Sequence, residues 1–125
     1  MTYKVVQVGA TYPAIITRCE VCTAADVFTT KDGNFNGGKG TSPEEPVLNI
    51  FGKIDGQSKE RKLGTIRLPK DGAFISDKSN LYKLLKSVGI DMGNGYEVSD
   101  DFHELAGKQV EITMTSSGFP KLSLN

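Results

Sequence analysis

Along most of this chain apolar residues recur at every second position, and in one stretch they shift to the spacing of a helix. Within residues 79–89, Leu81, Leu84, Leu85 and Val88 fall on one face, while Tyr82, Lys83 and Lys86 face elsewhere. Asp77 or Ser79 can cap the start, and Gly89 can close the last turn in the left-handed conformation. A short helix with one apolar stripe must bury it on a sheet or across the open end of a barrel. Residues 14–23 alternate as a strand, with Ile15, Thr17, Cys19 and Val21 expected on the core side and Ile16, Arg18, Glu20 and Cys22 on the other. Residues 47–54 alternate again, and a turn at Asp55-Gly56-Gln57-Ser58 leads to a return strand over 61–68. There Ile66 and Leu68 point inward and Arg61 and Arg67 outward, so that Phe51 and Lys53 are expected to share a face with both arginines. Val110, Ile112 and Met114 mark a fourth strand, and a turn at Ser116-Ser117-Gly118 leads to a fifth carrying Leu122 and Leu124.

The segments between these runs are less regular. Residues 3–8 are β-prone but short. Residues 24–46 read as a long mobile loop, with four glycines, two lysines and Phe35 at its centre and Phe28 near its start. Loops of this length in compact domains are functional or disordered, and the two phenylalanines favour function. Residues 91–98 form a Gly-rich connector. A brief helical turn follows over 99–107, with Ser99 as its cap, acids at its N-terminal end and Gly107 at its stop.

At 125 residues the chain is expected to be a single domain, 1–125, able to bury about two-thirds of its unfolded surface. Fifteen basic and fifteen acidic side chains cancel, so any attraction to a polyanion must come from local distribution. That distribution is uneven: Lys53, Lys59, Arg61, Lys62, Arg67 and Lys70 meet only Asp55 and Glu60 in their stretch, whereas residues 91–104 hold acids and no lysine or arginine. The start of the chain lacks the pattern of a signal peptide, and no segment could span a bilayer as a helix. A cytoplasmic protein without membrane contact is expected.

One long strand, a long loop, a hairpin, a helix and a closing hairpin are the order of a five-stranded oligonucleotide/oligosaccharide-binding (OB) barrel, all-β with one main helix between strands three and four. The sequence also resembles phage-encoded single-stranded DNA-binding proteins of OB fold. The resemblance lies in Gly9-Ala10-Thr11-Tyr12-Pro13-Ala14-Ile15-Ile16, in Asn80-Leu81-Tyr82-Lys83-Leu84-Leu85-Lys86-Ser87-Val88-Gly89, and in Leu105-Ala106-Gly107-Lys108-Gln109-Val110-Glu111-Ile112. It implies binding of single-stranded DNA during phage replication or recombination, alongside proteins of those processes, by a homo-oligomer in the host cytoplasm. The resemblance departs in one place: the last residues, Lys121-Leu122-Ser123-Leu124-Asn125, do not follow the acidic docking-tail pattern of the bacterial proteins similar to that family.

Single-strand binders need cations for the backbone and flat rings for the bases. The expected hairpin face supplies Phe51 as a platform, Lys53, Arg61 and Arg67 as phosphate contacts, and Lys59 and Lys62 at its turn end. In an OB barrel the flanking loops could bring Phe28, Lys31, Phe35 and Lys39, with Phe119 and Lys121, over a bound strand. The competing reading is a protein-interaction or assembly module using the same face.

Other constellations carry less. Cys19 and Cys22 have the spacing of a redox or zinc pair, but three positions apart on a strand they point to opposite faces, with no second cysteine pair and His103 as the single histidine. Two reduced thiols are expected, with Cys19 buried. Residues 33–41 approximate a phosphate loop, but Gly40 stands where Ser or Thr would ligate magnesium, and Pro43 and Pro46 prevent the required helix. Asp100, Asp101, His103 and Glu104 diverge on a short turn, and no nucleophile has a recognisable partner. Neither an enzyme nor a cofactor is expected.

Overall fold

The computed structural model describes residues 7–36, 42–55, 57–68, 75, 78–90 and 102–124. Five strands form one antiparallel sheet: β1 (Thr11–Thr23), β2 (Pro46–Ile54), β3 (Arg61–Arg67), β4 (Gln109–Met114) and β5 (Pro120–Leu122), in the order β3-β2-β1-β4-β5. The sheet curls into a nearly closed, OB-like barrel. Its edge strands approach so closely that a Cβ on Gly64 of β3 would lie 3.0 Å from the Leu122 side chain of β5. Arg61 Nη2 also donates to the Gly118 carbonyl at 3.2 Å, tying β3 to the β4–β5 turn.

Closure depends on β1, whose 13 residues serve two partners. Its N-terminal part pairs with β4, from Thr11 against Thr113 to Ile15 against Gln109, while Ala14 to Thr23 pairs with β2. A bulge between Ile16 and Arg18 bends the strand, as an extra residue does wherever two positions oppose one. The bulge also corrects the expected inward face. Ala14 and Ile16 are buried and Ile15 is 43% exposed, the reverse of alternation read straight through. Beyond Thr17 the odd positions do turn inward, where Cys19 packs against the core and Val21 pairs with Leu48, although Val21 at the strand end stays exposed.

The helix falls where its spacing placed it, as α2 (Asn80–Ser87), with Ser79 Oγ accepting from the Tyr82 amide and Gly89 at φ +84° beyond its end. Leu81, Leu84 and Leu85 are fully buried with Ile16, Leu48, Ile50, Ile54, Leu63 and Ile112. The segment after β1 is more ordered than its composition suggests. It opens with a five-residue helix, here labelled in chain order as α1 (Ala24–Phe28), which Thr23 and Asp26 start through a reciprocal capping box. Thr29 then bridges to Phe35 around a tight turn, so residues 24–36 are not the irregular loop expected of them. Residues 37–41, with Lys39, lie outside the described residues, as do 1–6, most of 69–77, and 91–101. The expected turn before β4 is a single 3-10 turn, His103–Leu105, entered from Phe102 at φ 55° without a side-chain cap. Ser99 and the acids at 100 and 101 lie outside the described residues. Among the described residues no helix is long and apolar enough to cross a membrane.

Candidate nucleic-acid interface

Pairing registers fix which side chains share the outer face of β1, β2 and β3. From one end to the other, the rows run Ile15 beside Lys53 and Gln109, Arg18 beside Phe51 and Lys62, Glu20 beside Asn49 and Thr65, and Cys22 beside Val47 and Arg67. The last two rows are partly covered by the chain itself. Val47 is fully buried, and Asn49 is 8% exposed while it accepts from Thr65 Oγ1 at 2.7 Å and donates to Cys22 Sγ. The first two rows stay open to solvent.

At their centre the Arg18 guanidinium lies over the Phe51 ring, 3.9 Å from its centroid. Carboxylates hold it there: Arg18 Nε donates to Glu60 at 2.8 Å, and Nη1 donates to Glu20. Glu60 is anchored in turn by the Thr17 hydroxyl, which also reaches the Phe51 carbonyl at 3.2 Å. Thr17 is the residue that the bulge inserts, so the irregularity that bends β1 also supplies the group that holds Glu60. The Thr17 hydrogen bond, followed by the Arg18 contact, keeps the Glu60 carboxyl below its ordinary range, while Glu60 keeps the Arg18 guanidinium above its own. Lys53 and Lys62 flank this stack as exposed cations. Beside it, Pro13, Ala14, Ile15, Lys53, Asp55 and Gln109 line a shallow pocket of about 200 Å³.

Of the residues expected to act together, the fold brings Phe51, Lys53 and Lys62 to one place, with exposed Lys59 on the β2–β3 connection. Arg61 does not join them. It pairs with Gly52 in the row of buried Ile16, on the opposite face, because β3 has its own register shift opposite Ile50 and Phe51. Arg67 is outward, but at the covered end, where it pairs with Glu45 at 2.7 Å. Phe28 and Phe35 are half-buried in the connection between β1 and β2, and Lys31 is exposed on its tight turn. Phe119, 68% exposed, and Lys121 sit on the β4–β5 hairpin beside Gly118. The residue that sequence reasoning passed over is Arg18. Its outward position was read correctly, and the missing signal was the β1–β2 register that sets it on Phe51.

Among the described residues no group of three His, Cys, Asp or Glu side chains could hold a metal. No protein-family model and no curated protein matches the sequence. What remains to reason from is the fold, this face and the resemblance carried by the sequence itself.

Proposed function

We propose that the protein is a sequence-tolerant single-stranded DNA-binding protein, working in phage replication or recombination as the resemblance in its sequence implies. The observation that carries the reading is the Arg18–Phe51 stack, open to solvent and flanked by Lys53 and Lys62, on the outer face of an OB-like barrel. Bases stack on exposed planar groups whatever their identity, and neighbouring cations track the phosphates. Net neutrality is no obstacle, because binding follows the charge near the strand rather than the total. Among the described residues neither helix contributes to this face, so a groove-reading helix is not what it offers, and an exposed stacking plane flanked by cations suits unpaired bases.

The test is fluorescence anisotropy with single-stranded DNA, RNA and duplex of equal length at two salt concentrations. The account expects single-stranded DNA to bind more tightly than duplex and to weaken as salt rises, by a slope near 0.7 per phosphate neutralised. Changing Phe51, Lys53 and Lys62 together to Ala should abolish most of that affinity. Indifference to every oligonucleotide, together with a stable complex with another protein, would favour the assembly-module reading instead.

A further inference from the structure

Arginine on a nucleic-acid-binding surface ordinarily serves the phosphates, through a charged fork of N–H donors. Arg18 is placed otherwise. Glu60 takes its Nε edge and Glu20 takes Nη1, and the Phe51 ring covers one of its two flat faces. The three charged groups together carry a net charge of minus one, so a phosphate approaching the guanidinium meets two carboxylates. What the ring and the two carboxylates leave uncovered is the second flat face and the Nη2 corner, on a side chain 46% exposed. Glu60 is ionised at neutral pH, and its hydrogen bonds to Thr17 and Arg18 keep the guanidinium in this position.

Resting on the reading of this face as a single-strand interface, we infer that Arg18 is the surface on which a nucleobase stacks, with Phe51 beneath it as the support rather than the platform itself. The ligand group is an unpaired base, and the phosphates are left to Lys53 and Lys62. Glu20 and Glu60 act as positioning residues: they hold the guanidinium over the ring and turn anions away from it. A plane stacked on one side and free on the other presents delocalised π-surface without demanding any base edge, so one base serves as well as another.

Lysine in place of Arg18 keeps the charge and loses the plane, which separates the two roles. The experiment measures anisotropy of labelled oligo-dT of about 16 nucleotides, the upper site size of one OB fold, with wild type, Arg18→Lys and Arg18→Gln over a salt series. Stacking on Arg18 predicts that Arg18→Lys binds at least about fivefold more weakly than wild type, and that Arg18→Gln keeps the wild-type salt slope. Arg18→Lys binding like wild type, or a slope reduced by about 0.7 in Arg18→Gln as expected for one lost phosphate contact, overturns the inference while leaving single-strand binding intact. Absence of binding by the wild-type protein overturns both.

Discussion

Cys19 and Cys22 stand three positions apart on β1 and meet different surroundings. Cys19 packs against the core, where burial pushes its thiol up to about 11, whereas Cys22 lies on the outer face beside Asn49. Burial favours the neutral thiol, so Cys19 contributes stability below its ordinary value of 9.0 that is lost as the pH rises toward 11. Alkylation by iodoacetamide at pH 8 is expected to modify Cys19 roughly 100-fold more slowly than a free thiol, in proportion to its smaller thiolate fraction. Peptide mapping that found Cys19 modified at the free-thiol rate would contradict its placement. The expectation of two separate thiols followed from strand parity, the lack of a second cysteine pair and the single histidine, and needed no knowledge of the fold. The partnership of Arg18 and Phe51 did need it, because 33 positions separate them and only the register of two strands brings them together.

At the scale of elements, the regular pieces were legible and the irregular ones were not. The helix α2 announced itself through Leu81, Leu84 and Leu85 because its period is carried by fully buried side chains and its start by Ser79. The helix α1 has five residues, too few for a period to show, and its capping box uses Asp26 where Glu or Gln is usual. The alternation along β1 was misassigned at its first half because a one-residue bulge reverses every side chain on one side of it. Gly52 has no room for a side chain: a Cβ there would lie 2.2 Å from the Ile15 carbonyl oxygen and 2.7 Å from Leu63 Cδ1. Since the nearer atom is backbone, β1 and β2 must part to admit it. Gly52→Ala is expected to destabilise the protein by about 1–3 kcal/mol, the usual cost of overpacking, read as a lowered midpoint in urea. An unchanged midpoint would show that this contact is looser than described.

For the whole molecule, the order of long strand, hairpin, helix and hairpin was enough to expect a five-stranded OB-like barrel, and the strand order β3-β2-β1-β4-β5 with α2 between β3 and β4 is that architecture. The candidate site was legible only in outline. Phe51, Lys53 and Lys62 gather on one open face, while Arg61 turns to the Gly118 carbonyl and helps to close the barrel. Such a division could not be read from alternation, because the register shift in β3 moves Lys62 into the position across from Phe51 that Arg61 was expected to share. The central claim is that a single strand lies along this outer face. Amide chemical shifts of the isotope-labelled protein, followed as oligo-dT is added, test it most directly. The account predicts changes centred on Ile15, Arg18, Phe51, Lys53 and Lys62, and changes confined to other parts of the barrel, or none at saturating oligonucleotide, would contradict it.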